Sequence, residues 1–468
     1  MLQYDPTNKN SILQYAKRLE GQTLENACSA GLNVLRQDNL ANDYKGKGNF
    51  GQYLEKLYFQ YNPNSDSEPD FPEAELELKS SGLKQLKNKE YRAKERLVLN
   101  IIDFINEAKN NKFETSSFWK KNANLLLVFY LYEKDVDALD LLIKLVGFWN
   151  FPKEDLAVIK HDWSVIQSKI ANGQAHEISE GDTLYLAACT KGGKGGNPRA
   201  QFQSKEPAKQ RAYSLKPSYL NHVIANIAGK SRRNYGKAIQ SPDLLEKQTL
   251  EGYIVTKFSL FLSKSVNEIV GTFDFKSNPT SKNFYANLTK KILNVELGKK
   301  IEEFEKAGIK IRTVRLNENN LPAEDVSFPC FDYETLVAED WDNSQIKTIF
   351  DSKFLFIFLK KIDGELFLQK VKFWNMPNSD LDEVFKVWTK VREVVSNGDI
   401  VQEFKGKRRQ TNFPGKGFND VSHVRPHAKN AQDTSPLPVK DKLTKQLEYT
   451  KHCFWLNSSY ISKDIYLK

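Results

Sequence analysis

The sequence predicts a mixed α/β (α+β) protein with two tandem domains, each a central mixed sheet flanked by helices. Three observations lead to this prediction. Helix-like and strand-like hydrophobic patterns alternate along the chain. The same short motifs occur twice at a nearly constant spacing. The chain has 468 residues, of which 40% are hydrophobic; at roughly 150 residues per domain this is material for about three domains, or for two large ones.

The individual elements follow from local patterns. Apolar residues spaced three or four apart predict helices over residues 12–19, 50–59 and 155–171. The third helix should end at Asn172-Gly173, because glycine adopts the left-handed conformation that stops helices. Alternating and continuous apolar runs predict strands over 73–79 and 125–132. Residues 176–178 and 183–188 are predicted to pair as a hairpin across Glu180-Gly181-Asp182.

An internal duplication is predicted from one long motif. The motif Phe148-Trp149-Asn150-Phe151-Pro152 matches Phe373-Trp374-Asn375-Met376-Pro377, which lies 225 residues later. The same offset relates Trp163 to Trp388 and Asn172-Gly173 to Asn397-Gly398. We therefore expect two homologous domains over 1–225 and 251–468, joined by a polar, basic linker over 226–250.

Composition narrows the classes of protein that remain. The longest clean apolar run, 125–132, is far shorter than the roughly 20 residues of a membrane-spanning helix, and the first residues do not resemble a secretory signal. Four scattered Cys without a CxxC motif argue against a disulfide framework and favour a cytoplasmic protein. A net charge of +10 points to a polyanionic partner such as nucleic acid, although composition alone slightly favours the alternative, a solvated surface rich in lysine.

Candidate catalytic chemistry is concentrated in Asp70, Glu77 and Lys79. Residues two apart on a strand share a face, so Glu77 and Lys79 point together. Two carboxylates can hold Mg²⁺ through hard oxygen ligands, and a lysine can offset the charge that grows on a phosphate under attack. This D…E-x-K pattern is typical of restriction-type nucleases, although a solvated strand with alternating Glu and Lys would carry the same letters.

The surrounding motifs extend this pattern over most of residues 10–225. At these motifs the chain resembles the mismatch-repair endonuclease MutH, and more closely the GATC-cutting type II restriction endonucleases with two MutH-like domains. The matching motifs are Leu19-Glu20-Gly21-Gln22-Thr23-Leu24, Lys47-Gly48 with Glu55, Asp70 with Glu77-Leu78-Lys79, Glu114-Thr115-Ser116 with Lys121, and Asp162-Trp163 with Asn172-Gly173.

The resemblance implies a fold, a reaction and a set of residues. It implies tandem restriction-endonuclease-like domains of the MutH type that cut double-stranded DNA at GATC with Mg²⁺. The family's metal-binding acids fall on Glu55, Asp70 and Glu77, and its catalytic lysines on Lys79 and Lys121. Lys120 is the alternative to Lys121, and a solvated helix position is the alternative for Glu55.

The second half is expected to be catalytically inactive. Aligned on the same pattern, Lys290 and Lys310 replace the acids Glu55 and Glu77. Arg312 then replaces Lys79, Glu303 replaces Asp70 and Ile349 replaces Lys121. Because two of three ligands become cations, this site should not hold Mg²⁺ but could hold a phosphate.

Base reading in the family uses a loop with an Arg-Pro-x-Ala pattern, which Arg425-Pro426-His427-Ala428 matches in the second half. The corresponding stretch of the first half, from residue 188, departs from this pattern and is rich in glycine and lysine. Such a segment lets the backbone approach phosphates and bases, although a solvated loop is the alternative. The candidate DNA-contacting residues are Lys191, Lys194, Arg199, Lys216, Arg425, His427 and Lys429.

The sequence therefore predicts a type II restriction endonuclease whose first half cuts and whose second half binds DNA. Because GATC is a palindrome, cutting both strands requires two active sites, so two chains are expected to associate on DNA. A strand-nicking mismatch-repair endonuclease and a catalytically silent DNA-binding protein remain the alternatives.

Overall fold

The computed structural model describes residues 2–28, 49–61, 68–192, 197–230, 234–273, 275, 277–406 and 408–468. Within it the chain forms two compact units. The first comprises Met1–Tyr235, Ile239–Thr249 and Glu302–Gly308, and the second comprises Gly236–Ala238, Leu250–Ile301 and Ile309–Lys468. Residues 302–308 thus differ from the predicted division, because they pack with the first unit.

The helices, numbered along the chain, are α1 (Lys9–Lys17), α2 (Leu24–Ala27), α3 (Asn49–Tyr53), α4 (Phe104–Glu107), α5 (Ser117–Asn122), α6 (Lys153–Ala171), α7 (Pro217–Ile227), α8 (Leu244–Lys247), α9 (Leu250–Ser259), α10 (Val266–Gly271), α11 (Phe284–Ile292), α12 (Glu302–Ala307), α13 (Tyr333–Ala338), α14 (Gln345–Phe350), α15 (Asn378–Ser396) and α16 (Ser458–Tyr460). Wider π-helical turns continue α3 over Leu54–Tyr58 and α16 over Ile461–Tyr466.

The strands are β1 (Glu77–Gln85), β2 (Tyr91–Ala93), β3 (Leu97–Ile101), β4 (Asn124–Leu131), β5 (Ile143–Asn150), β6 (Leu186–Thr190), β7 (Pro198–Gln201), β8 (Ser204–Lys209), β9 (Arg211–Leu215), β10 (Tyr235–Gly236), β11 (Lys300–Ile301), β12 (Lys310–Leu316), β13 (Val326–Cys330), β14 (Phe354–Ile362), β15 (Glu365–Trp374), β16 (Val401–Lys405), β17 (Arg408–Thr411), β18 (Ser422–Pro426), β19 (Thr434–Pro436), β20 (Glu448–Thr450) and β21 (His452–Leu456).

The first unit is organised around a mixed sheet with strand order β2-β1-β4-β5. Strands β1 and β4 run parallel, whereas β2 and β5 pair antiparallel to them. Strand β4 is an apolar run with both faces covered, and Leu125 to Phe129 are fully buried. A second, antiparallel sheet has the order β3-β9-β6. The predicted mixed α/β architecture is therefore confirmed.

Helix α6 matches its prediction. It follows Pro152 and buries Val158, Trp163, Ile166 and Ile170 on one face. Gly173, two residues after the helix, has a φ of +71°, a conformation in which a side chain would be strained. The sequence signal for the end of this helix therefore corresponds to a backbone requirement.

The second unit repeats the main elements in the same order. Strands β12 and β14 are parallel and β15 pairs antiparallel to β14, as β1, β4 and β5 do. The sheet β13-β21-β18 has the arrangement of β3-β9-β6. Helix α15 follows Pro377 and precedes Gly398, whose φ is +65°. Both units also hold a Tyr hydroxyl against an Asp carboxylate at matching places, Tyr219 on Asp155 and Tyr460 on Asp380.

Two local predictions are wrong. Residues 73–75 lie in a turn rather than a strand: Glu75 has a φ of +45° and its N–H donates to the carbonyl of Pro72. The hairpin is also not formed, because residues 175–177 and 180–182 are 3₁₀ turns, the second fixed by a capping box from Ser179. Strand β6 pairs with β9 instead.

The segment 226–250, predicted as a linker, is partly regular. It contains the end of α7 and all of α8, and Asp243 at the start of α8 pairs with Lys153 at 3.0 Å. In the described part of the chain, no helix is long and apolar enough to span a membrane.

Candidate active site

The predicted acids meet at the start of β1, in the centre of the mixed sheet. Glu77 is the first residue of β1 and lies opposite Leu125 of β4. Its side chain is fully buried. Asp70 precedes the turn at residues 71–76, and Glu55 lies in the π-helical turn after α3. These acids are close enough for the pKa of Glu55 to be raised by Asp70 and Glu77, and for the pKa of Glu77 to be raised by Asp70.

Backbone hydrogen bonds hold Asp70 and Glu77 in place. The N–H of Asp70 donates to Glu77 Oε2 at 3.1 Å, and the N–H of Leu78 donates to Asp70 Oδ2 at 2.9 Å. The isolated bridge between Phe71 and Leu76 closes the turn between the two acids. The short loop in the D…E-x-K spacing therefore folds the two carboxylates against each other.

Two lysines surround the Glu77 carboxylate. Lys79 Nζ forms an ion pair with Glu77 Oε1, and Lys121 Nζ lies 3.8 Å from the same oxygen. Lys121 is in the last turn of α5, whose N-cap is Ser116, whereas Lys120 is exposed. Of the two candidate lysines, Lys121 is thus the one that the fold brings to the acids.

The electrostatics of the site favour binding of a cation. Burial raises the pKa of Glu55 to about 7, and the Asp70 carboxylate adds to this shift. Burial also raises the pKa of Glu77 to about 7, although Lys79 opposes the shift. Carboxylates that are desolvated and crowded resist ionisation, and positive charge supplied between them would relieve both effects.

The donor set suits a hard divalent cation. Glu55, Asp70 and Glu77 offer only oxygen donors, which Mg²⁺ and Ca²⁺ prefer. Within the described ranges, however, no three acidic, His or Cys side chains already converge on a common metal position. Glu77 Oε1 is engaged by Lys79, and one oxygen of Asp70 accepts the Leu78 N–H. The acids are grouped, but they do not form a closed cage.

Tyr61 is a member of this site that the sequence analysis missed. Its hydroxyl is buried and has no hydrogen-bond partner among the described residues, and its ring packs against Phe71 with centroids 5.6 Å apart. Burial, together with Asp70, Glu55 and Glu77, raises its pKa far above the usual range. No sequence signal marked this tyrosine, because it follows the helix at no recognisable motif position.

The second unit places cations at the matching positions. Strand β12 begins at Lys310, opposite Phe354 of the parallel strand β14, so Lys310 and Arg312 occupy the register of Glu77 and Lys79. Lys290 is the seventh residue of α11, as Glu55 is in the helix that begins at Asn49. Ile349 is the fifth residue of α14, as Lys121 is in α5.

Glu303 does not take the place of Asp70. Its carboxylate accepts the N–H of Ile239 at 3.0 Å, and it belongs to the first compact unit. Only one residue of the first-half site has a counterpart of the same charge among the predicted positions of the second unit. That counterpart is Arg312, at the position of Lys79.

The candidate DNA-contacting residues of the first half fall in different environments. Arg199 is exposed on β7, and Lys191 is half-buried at the end of β6. Lys194 lies outside the described residues. Lys216 does not lie on the surface as predicted: it is 7% exposed, and its ammonium donates to the carbonyl of Thr183 at 2.6 Å. We therefore leave Lys216 out of the candidate DNA surface.

The candidates of the second half form an exposed group at the end of β18. Arg425 stacks over the Trp455 ring, with its guanidinium carbon 3.8 Å from the ring centroid, and its Nη1 lies 3.3 Å from Asp325. The His427 ring packs against the same indole in a T-shaped arrangement, with the two ring centroids 5.2 Å apart. Arg425, His427 and Lys429 are all exposed, so a polyanion could reach them.

Comparisons with known proteins agree with this site. The family model "DNA mismatch repair enzyme MutH" matches residues 59–162, which include Asp70, Glu77, Lys79 and Lys121. The type II restriction enzyme Sau3AI of Staphylococcus aureus is 32% identical over 477 residues. That alignment covers 93% of this chain and 96% of the Staphylococcus enzyme.

Proposed function

This chain belongs to the MutH-like type II restriction endonucleases and is a site-specific deoxyribonuclease; from that premise we propose that it makes Mg²⁺-dependent double-strand cuts in DNA at GATC. The first unit cuts, and the second unit binds DNA without cutting. The observation that carries this proposal is the buried Glu77 carboxylate with Asp70 bonded to it and with Lys79 and Lys121 beside it.

Glu55, Asp70 and Glu77 would hold the metal ion. A divalent cation there would polarise the scissile phosphate and lower the pKa of a bound water. Lys79 and Lys121, the two ammonium groups that flank Glu77, are placed to stabilise negative charge developing on the phosphate. Glu77 is fully buried, and charge interactions are stronger in such low-dielectric surroundings than in water.

The division of labour between the units is inferred from charge. Where the first unit has Glu55 and Glu77, the second has Lys290 and Lys310, a replacement that favours phosphate over metal. The exposed Arg425, His427 and Lys429 supply its candidate groove contacts. The matching order of elements supports descent of the two units from one duplicated domain. One cutting unit per chain then requires two chains to cleave both strands of a palindrome.

The test is a digest of supercoiled plasmid carrying one GATC site, with Mg²⁺, followed by sequencing of the ends. The proposal expects linear product cut at GATC, and no product when EDTA is in excess. Glu77→Ala and Lys79→Ala should each abolish cleavage while the protein still folds and binds the site. Efficient cutting by either variant, or ends at another sequence, would contradict the assignment.

The same digest separates the alternatives. A strand-nicking endonuclease would give open circles without linear product, and a silent DNA-binding protein would shift the DNA in a gel without cutting it. The intact set of Glu55, Asp70, Glu77 and Lys79 speaks against the silent reading, and the presence of two units speaks against a single-domain nickase.

A further inference from the structure

Arg312 is a partly buried cation with no carboxylate paired to it among the described residues. It lies on β12 opposite Phe356 of β14, at the register where the first unit has Lys79. Its guanidinium Nη1 donates to the carbonyl of Ile311 at 3.1 Å, while Nε is buried and has no hydrogen-bond partner among the described residues. In the same described part of the chain, no carboxylate forms an ion pair with it.

The surroundings of Arg312 are apolar. Its guanidinium carbon lies 5.4 Å from the centroid of the Phe328 ring and 6.0 Å from that of Phe354. Burial lowers the pKa of Arg312, and no neighbouring carboxylate offsets that shift. In the first unit the corresponding lysine has Glu77 as its partner, but here Lys310 stands at the position of Glu77 and is exposed.

A desolvated guanidinium is costly unless an anion pairs with it. Arg312 is nevertheless only partly buried as a residue, so part of it faces solvent even though its Nε is buried. Planar guanidinium groups match the oxygens of phosphate in a two-pronged hydrogen bond. Lys310, two residues away on the same strand face, adds positive charge on the solvent side.

We propose that Arg312 anchors a phosphate-binding site in the second unit, at the position that corresponds to the catalytic acids of the first. The ligand that we expect first is a backbone phosphate of duplex DNA, and this choice rests on the proposed DNA-binding role of the unit. Inorganic phosphate or a free nucleotide carries the same oxyanion and is the other source of this chemistry. The position that would hold a cation in the first unit would thus hold a phosphate anion in the second.

The first experiment measures phosphate binding without any cleavage. The melting temperature of the full-length protein is followed as inorganic phosphate replaces chloride at constant ionic strength in the low millimolar range. The wild type should be stabilised, and Arg312→Met should lose that stabilisation. Arg315→Met is the matched control: Arg315 is on the same strand, 57% exposed and paired with Glu324 at 3.2 Å, and its loss should leave the phosphate effect intact.

The second experiment identifies the source of the phosphate. The dependence of DNA affinity on salt concentration reports the number of phosphates that the protein neutralises. Arg312→Met should lower the slope of log K against log salt by about one if Arg312 holds a backbone phosphate. An unchanged slope with a lost phosphate effect supports the site with free phosphate or nucleotide as its ligand.

A third variant separates a loss of phosphate binding from a loss of folding. Arg312→Lys keeps the charge but loses the planar fork, so it should bind phosphate more weakly than the wild type. The proposal is overturned if neither Arg312 variant alters the phosphate effect or the salt slope, or if Arg315→Met alters them equally. Plasmid cleavage by the wild type tests the proposed nuclease function separately, because the phosphate measurement needs no cutting.

Discussion

Replacing Lys306 by Met should destabilise the first unit strongly. Lys306 lies in α12 and is 4% exposed, between Asp155, which is 1% exposed, and Glu302, which is 6% exposed. Its ammonium lies 2.7 Å from Asp155 Oδ1 and 2.9 Å from Glu302 Oε1. Methionine has a similar length but carries no charge, so the variant would remove the ammonium that pairs with two buried carboxylates.

The expected cost is about 3–5 kcal/mol, the typical effect of removing one partner from a buried ion pair. For a unit of this size each kcal/mol corresponds to about 2–4 °C in melting temperature, so the transition should fall by roughly 6–20 °C. The remaining partners of Asp155 do not replace an ammonium: Tyr219 donates a hydroxyl hydrogen bond at 3.1 Å, and His222 lies 3.7 Å away.

Thermal unfolding of the full chain at pH 8 provides the assay. Lys17→Met is the control, because Lys17 forms an exposed pair with Glu20 at 2.7 Å, and such pairs contribute little. Adding Asp155→Asn to Lys306→Met should recover part of the loss, since it removes one uncompensated charge. If Lys306→Met melts within a degree or two of the Lys17 variant, the ion pairs of Lys306 with Asp155 and Glu302 do not hold α12 on the first unit.

This result bears on how the two halves can be separated. A fragment ending at residue 225 lacks Lys306, and it is expected to suffer the same loss around Asp155. The contribution of the second unit to cleavage is therefore better measured by point variants in the full chain, on DNA with one and with two sites, than by truncation.

Three further predictions concern the site and the DNA surface. Burial raises the pKa of Glu77 from 4.5 to about 7, so the folded protein holds this proton more tightly than the unfolded chain; the resulting stability is complete below pH 4.5 and is lost as the pH rises through 7. In EDTA, the free energy of unfolding of Glu77→Gln should therefore rise by about 3 kcal/mol relative to that of the wild type between pH 4.5 and pH 8. A difference in melting temperature that does not change with pH would contradict this. Tyr61→Phe should stabilise the metal-free protein by about 1 kcal/mol, because it removes a buried hydroxyl without a partner in the described structure; a lowered melting temperature would show that the hydroxyl has a partner. Arg425→Ala should weaken DNA binding by about 1–3 kcal/mol if its guanidinium reads a base, with the Mg²⁺ dependence of cleavage unchanged, and unaltered affinity in a gel-shift titration would exclude Arg425 from the interface.

The two misread elements have different causes. The alternating letters of residues 73–79 fit a strand, but Pro72 and the positive φ of Glu75 belong to a turn that brings Asp70 onto Glu77. Residues 176–188 fit a hairpin, yet β6 finds its partner in β9, some 25 residues farther along the chain. In the first case the alternating letters concealed a turn, and in the second the local pattern could not choose between a near and a distant partner.

Several features of this protein follow from the sequence alone. Glu77 and Lys79 share a strand face because strand side chains alternate, and α6 ends where Asn172-Gly173 permits a positive φ. The repeated Phe-Trp-Asn motif and the paired Pro and Gly positions mark the same elements in both halves. These features depend on neighbouring residues, so the linear pattern contains all the information they need.

The tertiary structure decided what depends on distant partners. It buries Lys216 against the carbonyl of Thr183, although the charge of Lys216 had suggested an exposed position. It assigns α12 to the first unit through Lys306 and Asp155, 151 positions apart in the chain. It also leaves Arg312 partly buried, with no carboxylate paired to it in the part of the chain that the structure describes. Burial and charge pairing are properties of the closed fold, because the cost of removing a charged group from water is set by whichever groups the rest of the chain brings beside it.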